Sequence, residues 1–272
     1  MKQTGVKRLE HLLEVIILGL IQGFAEWLPI SSTAHLIIVE HFFGLTATPL
    51  FNITLHVGTL IVVVFYFRRE VKNILSALFH LDFKSEYGQF IPLIIVATIP
   101  TAVIGLLYVE FLENTLQTIL VIGITFLVSA TIVYMSKIGK ENMDSISYAM
   151  ALVIGAAQGL AIFPGLSRSG MTISSALLLG LKREKAFKFS FLLSIPAVLG
   201  DLIVEAYKQR GQLVVQGISS AELLVGIAVA MIAGYVAIKL VSKTVASRKF
   251  HYFAIYTCLL GLALIVLYLG GF

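Results

Sequence analysis

Along the chain, apolar residues gather into long runs separated by short charged segments. Six runs approach the roughly 20 apolar residues that cross a bilayer as a helix. They are 49–67, 91–110, 117–136, 187–206, 221–240 and 251–270. The first is the least uniform, since it opens with Pro49, Asn52 and His56. Two further apolar regions, 12–45 and 149–180, are broken near their middles by proline, serine and a polar cluster. Broken backbone at membrane depth is tolerated only where protein or a water-filled cavity surrounds it. Each region therefore reads as a helix–loop–helix hairpin that enters the membrane and turns back.

The two broken regions resemble one another. They read LGLIQGFAEWLPISSTAHLIIVEHFFG (18–44) and IGAAQGLAIFPGLSRSGMTISSALLLG (154–180). At a spacing of 136 residues, Gly19, Gln22, Gly23, Ala25 and Ser31 meet Gly155, Gln158, Gly159, Ala161 and Ser167. Trp27 meets Phe163, and Pro29 and Pro164 fall one residue out of register. The flanking spans follow: 49–67 maps near 187–206, and 117–136 near 251–270. The expected fold is all-α, a polytopic membrane protein with six transmembrane helices and two re-entrant helical hairpins. Its two inverted repeats would be 1–136 and 137–272, with the broken segments meeting near the midplane.

Composition agrees with the pattern. Of 272 residues, 58% are hydrophobic and 13% charged, and the mean hydropathy is +0.95. Soluble domains carry about 25% charged residues, so a soluble fold is excluded. Disorder is excluded too, because it needs low hydrophobicity and high net charge. The lone Cys258 lies within an apolar run and forms no intrachain disulfide. The N-terminal apolar stretch contains Glu14, Gln22 and Glu26 and lacks a small-residue cleavage site, so it does not read as a cleaved signal.

The net charge of +5 comes from basic residues at the ends of apolar runs, and no nucleic-acid-binding signature accompanies it. Arg68, Arg69, Lys72 and Lys84 follow the first span, while the loop 111–116 has Glu113 and no basic residue. Lys137 and Lys140, the group Lys182, Arg183, Lys185 and Lys188, and the group Lys243, Arg248 and Lys249 mark other loops. Calling these rich loops cytoplasmic is consistent if both broken regions are re-entrant. Lys2, Lys7, Arg8, Lys208 and Arg210 count against that orientation.

Ionisable groups at membrane depth are expensive and mark function by default. Glu26, His35 and Arg168 are the strongest. Arg168 lies in PGLSRSG, where its planar fork of donors suits phosphate oxygens. Ser167, Ser169 and Thr172 add hydroxyls, and the start of the following helix favours an anion. Gln22 and Glu26 are one turn apart and share a helix face. An amide oxygen and a carboxylate there suit a hard divalent cation, Mg2+ or Ca2+, with several waters. Ser31, Ser32 and Thr33 follow the Pro29 break. They read either as ligands or as caps of the second half-helix. His35, three residues beyond Ser32, is placed to activate it. His56, at the polar start of a span, reads as structural, and Gln158 as a hydrogen-bonding group between broken helices.

QGFAEWLPISSTAH resembles the (E/Q)xxxE motif and following PxSSTxH stretch of the undecaprenyl-pyrophosphate phosphatases, the bacitracin-resistance type. FPGLSRSGMT resembles that family's PGxSRSxxT motif. The resemblance covers nearly the whole chain. It implies a membrane phosphatase of polyprenyl diphosphates, dependent on a divalent cation and acting on the outer face of the plasma membrane. Expected partners are the lipid substrate and the bilayer, with no nucleic acid, and a homodimer is an expected assembly. By position, Gln22 and Glu26 are the (E/Q)xxxE pair and the expected metal ligands. Glu26, Ser32, His35 and Arg168 are the expected catalytic group. Ser31, Thr33, Ser167, Arg168, Ser169 and Thr172 are expected to bind the diphosphate. Attack by Ser32 and attack by water both remain open. The layout also suits a transporter, but translocation needs no nucleophile–base pair.

Overall fold

A computed structural model describes residues 2–44, 49–111, 118–208 and 219–271. These residues form eleven α-helices, and the only β feature among them is an isolated bridge between Met143 and Leu181. The first broken region gives α1 (Lys2–Trp27) and α2 (Ser32–Phe43). Then come α3 (Pro49–Tyr66), α4 (Arg68–Phe79), α5 (Phe90–Phe111) and α6 (Ile119–Met135). The second broken region gives α7 (Tyr148–Leu160) and α8 (Arg168–Leu178). The chain ends with α9 (Arg183–Lys208), α10 (Ser220–Ala246) and α11 (Phe253–Leu269). The loop 112–116, with Glu113, and Arg210 lie outside the described residues.

Among the described residues, five helical segments are long and apolar enough to cross a membrane: Phe90–Tyr108, Ile119–Ile138, Arg183–Lys208, Ser220–Ala246 and Phe250–Leu269. They match five of the six expected spans, and the chain is a multi-pass membrane protein. The sixth run differs in detail. Phe51–Tyr66 passes only together with Arg68–Phe79, and the two helices meet at an angle of 81°. The segment after Tyr66, read above as a loop, thus begins with a helix. Val71, Ile74, Leu75 and Leu78 recur at i, i+3, i+4 and i+7, the period of an apolar helix face. Arg68, Arg69 and Lys72 cluster at its start, so α4 is amphipathic and turns away from the span rather than prolonging it.

Both breaks lie where proline dictates. Pro29 has no N–H to donate and disfavours helical backbone at Leu28, and α1 stops at Trp27. The second break runs from Ala161 to Ser167 around Pro164. Helices from the two halves interleave: α1 lies along α10, α7 along α5, and α6 along α11. Small residues permit this contact. A Cβ on Gly23 would lie 2.5 Å from the Ala230 carbonyl oxygen, and one on Gly155 would overlap the Ala97 backbone. Gln158 does not join the two broken helices to each other; it donates instead to Thr101 Oγ1 on the span α5 at 3.3 Å.

The short helix α8 is the hub. It contacts α1, α6, α7 and α9, and eight of its eleven residues are buried. Its run of Ser, Gly, Thr and Ala suits a helix surrounded on every side, because small side chains let neighbours approach. Large apolar side chains on other helices, such as Ile203, Leu224, Ile232 and Val266, point outward and are more than half exposed. Outward-facing apolar surface on spanning helices is what lipid covers.

Candidate active site

The two broken loops are tied directly to each other. Gly165 donates its N–H to Ser31 Oγ at 3.1 Å, and Ser167 Oγ donates to the Leu28 carbonyl at 3.3 Å. Gly165 has a positive φ of 98°, and a Cβ there would strike Thr125, so the chain needs glycine at this turn. Thr125 Oγ1 in turn donates to the Pro164 carbonyl. Ser31 itself has φ 68°, a left-handed conformation costly for a residue with a side chain. The strain aims the next residue, Ser32, back toward the end of α1.

Glu26, near the end of α1, is the centre of the polar cluster. Its carboxylate Oε1 accepts from Arg168 Nη1 at 3.1 Å. Its Oε2 accepts from Ser32 Oγ at 2.8 Å and from Gln22 Nε2 at 3.1 Å. His56 Nε2 lies 3.9 Å from the same Oε2. The Glu26 side chain is only 4% exposed. A buried carboxylate is tolerated only when paired and hydrogen-bonded, and here it has both. Arg168 extends its second arm to α9, where Nη2 donates to Asp201 Oδ2 at 2.5 Å. One guanidinium thus bridges two carboxylates, a use of its fork that a lysine cannot copy.

Beside this ion pair lies a narrow cleft. Glu26, Arg168, Ser169, Thr172, Ser190 and Ser194 line it, and the stacked rings of Trp27 and Phe191, 5.3 Å apart, complete the wall. Thr172 Oγ1 is committed to the Arg168 carbonyl and Ser194 Oγ to that of Phe191. Ser190 Oγ and Trp27 Nε1 are buried and have no hydrogen-bond partner. Unpaired buried donors are costly, so Ser190 has capacity for an incoming acceptor, whereas Trp27 Nε1 faces Gly234 of α10.

Not every expected ligand faces the cleft. Ser31 Oγ is used in the tie between loops, and Thr33 is exposed on the first turn of α2. Neither lines it. Ser31 does not cap α2 with its side chain. Ser167 does cap α8, accepting the Gly170 N–H at 3.2 Å, and its hydroxyl also meets Ser169 Oγ. His35 departs from expectation. Its Nδ1 faces the Ser31 carbonyl at 2.8 Å and its Nε2 faces Tyr256 Oη at 2.7 Å. Both ring nitrogens are engaged away from Ser32, so the expected Ser32–His35 pair is replaced by Ser32–Glu26. The ring folds back over its own turn, where the Ser31 carbonyl, which also takes the His35 backbone N–H, is its partner.

Among the described residues, no group of three or more His, Cys, Asp or Glu side chains converges as a metal cage. A magnesium-type ion uses only one or two protein carboxylates and takes its other ligands from water and substrate phosphates. Gln22 Oε1, buried without a partner, lies on the residue that donates to Glu26. The pair therefore fits a cation held jointly with a phosphate ligand.

Residues 15–263 match the family described as bacitracin resistance protein BacA. The chain belongs to the BacA family. It is 39% identical over 265 residues to an undecaprenyl-diphosphatase of Carboxydothermus hydrogenoformans, covering 95% of this chain and 98% of that one. It is 42% identical over 259 residues to undecaprenyl-diphosphatase 3 of Bacillus cereus, covering 94% and 96%. An undecaprenyl-diphosphatase of Methanosphaera stadtmanae is 38% identical over 273 residues, covering 94% and 98%.

This BacA-family site contains groups that the sequence reading passed over. Asp201 stands inside an apolar run, and the rule that selected Glu26 selects it equally. His56 was assigned a structural role, yet it faces Glu26. Tyr256 and Ser190 carried no local signal, since their place at the site comes from how α11 and α9 pack.

Proposed function

We propose that this protein is an integral membrane phosphatase that hydrolyses an undecaprenyl-type diphosphate to the monophosphate and inorganic phosphate. It would thereby return a glycan carrier lipid for reuse in cell-wall assembly. The observation that carries the reading is the junction of the two broken loops, where Glu26, Ser32 and Arg168 meet beside a cleft lined with hydroxyl groups. The relatives are undecaprenyl-diphosphatases by name, and they match the chain almost end to end.

The chemistry follows from the contacts. The incoming diphosphate takes the place of Asp201 on the outer arm of Arg168, and Ser190 and Ser169 offer hydroxyls to its oxygens. Phosphoryl transfer depends mainly on positioning and on neutralising charge at those oxygens. Ser32 Oγ already donates to Glu26, which favours serine over water as the attacking group. As Oγ bonds to the terminal phosphorus, its proton passes to Glu26. The bond from phosphorus to the bridging oxygen breaks, and the lipid monophosphate leaves. Water then attacks the phosphoserine, the bond from phosphorus to Oγ breaks, Glu26 returns its proton to Oγ, and phosphate leaves with the protons of the water. A divalent cation, Mg2+ or Ca2+, held by Glu26 and Gln22, would add charge neutralisation when bound.

We place the reaction at the extracytoplasmic face of the plasma membrane, a reading supported by the basic residues after α3 and before α9. We also read the chain as two inverted halves. The exchange of α1 and α7 onto α10 and α5 supports this. The test is phosphate release from undecaprenyl diphosphate in detergent, with and without EDTA. Release that EDTA suppresses is expected, and no release in either buffer would sink the proposal.

A further inference from the structure

We infer that Tyr256 of α11 is a positioning residue for the reaction. It acts through His35 to hold the strained turn that presents Ser32. The inference rests on the phosphatase reading above, but its physical core is a hydrogen-bond chain that can be observed separately.

The chain begins at Ser31. Its φ of 68° is of the kind that persists only when the surroundings over-determine it. Two groups of His35 converge on the Ser31 carbonyl: the backbone N–H at 3.3 Å and ring Nδ1 at 2.8 Å. A carbonyl only accepts, so Nδ1 must carry a proton. In the neutral imidazole, Nε2 is then the bare nitrogen, and it accepts the Tyr256 hydroxyl at 2.7 Å. The partners of the ring assign its tautomer.

Packing fixes the ring plane as well. Tyr256 stacks on His35 with centroids 5.7 Å apart and planes 14° from parallel. Phe126 of α6 meets the same ring edge-on at 5.7 Å. The imidazole is therefore gripped between the helices α6 and α11, which lie along each other. Without the hydroxyl, the imidazole can exchange its tautomer and release the Ser31 carbonyl. Ser32 is the next residue, and its Oγ must stay 2.8 Å from Glu26. A small displacement of a reacting group costs rate and spares binding.

The test compares wild type with Tyr256→Phe, which keeps the ring and removes only the hydroxyl. Expected is a kcat lowered roughly three- to tenfold, about the worth of one hydrogen bond, with KM and melting temperature unchanged. The second readout is the ¹⁵N spectrum of histidine-labelled protein, with the His35 signals assigned by their loss in His35→Gln. In wild type, His35 Nδ1 is protonated and Nε2 is a hydrogen-bonded acceptor. In Tyr256→Phe, the Nε2 resonance moves toward that of an unbonded nitrogen. Unchanged kcat with an unmoved resonance would overturn the inference. So would a parallel loss of kcat, KM and melting temperature, which would mark a packing role. A wild-type protein that releases no phosphate would remove the phosphatase reading. An Nε2 resonance unmoved by Tyr256→Phe would remove the contact itself.

Discussion

Replacing Arg168 by alanine strands the carboxylate of Glu26. Its side chain is 4% exposed and that of Arg168 is 23% exposed. Breaking a buried pair by deleting one partner costs about 3–5 kcal/mol, because a charge is left without compensation. Here Ser32 and Gln22 still donate to Glu26, and His56 remains 3.9 Å away. Those groups reduce the cost to about 2–3 kcal/mol. For a chain of this size, that lowers the melting temperature by about 5–10 °C. Adding Glu26→Gln removes the stranded charge. The double variant Glu26→Gln/Arg168→Ala should therefore melt within about 3 °C of wild type. Both variants should release no phosphate. The lone tryptophan, Trp27, lies in the cleft wall, so thermal unfolding in detergent can be followed by its fluorescence. A single variant as stable as wild type would show that the pair is not a buried one. A double variant less stable than the single would refute the account of the stranded charge.

Ser32→Ala should lower phosphate release from undecaprenyl diphosphate at least about a hundredfold, as expected for losing the group that passes its proton to a base. A drop under tenfold would mean that water attacks and Ser32 only binds. Asp201→Asn frees the outer arm of Arg168, so KM should fall. A half-exposed pair is worth about 0.2–1 kcal/mol, which gives a change of about 1.5- to fivefold, and a raised KM would show that Asp201 assists binding. Gln22→Ala should raise the Mg2+ concentration for half-maximal phosphate release about tenfold, and an unchanged titration would remove Gln22 as a ligand.

Much of this arrangement can be read before any coordinates. The apolar runs foretell the spans, and Pro29 and Pro164 foretell the breaks, while the packing of α1 on α10 and of α7 on α5 shows only in the structure. The site was legible where a residue stood out from its own neighbours, as Glu26 and Arg168 do. His35 shows the limit. Three-residue spacing places it on the same helix face as Ser32, but spacing does not say which acceptor the ring prefers. Asp201, His56 and Tyr256 reach the site from distant helices, and their approach is a property of tertiary packing. The helix α4 was hidden for another reason, since its basic residues suggest a loop while its apolar period suggests a helix.

The exchanged packing also bears on how the chain is made. The glycine face of α1 is complementary to α10, whose first residue, Ser220, lies far along the chain. Synthesis proceeds from the N-terminus, so the first helix emerges long before its partner exists. Contacts that span such a distance in sequence form late. Until α8 is made, the segment bearing Glu26 lacks the guanidinium that neutralises it, and until α10 follows it lacks its docking helix. Assembly of the charged centre therefore has to wait for the last third of the polypeptide, and a nascent chain stopped before α10 cannot have a finished active site.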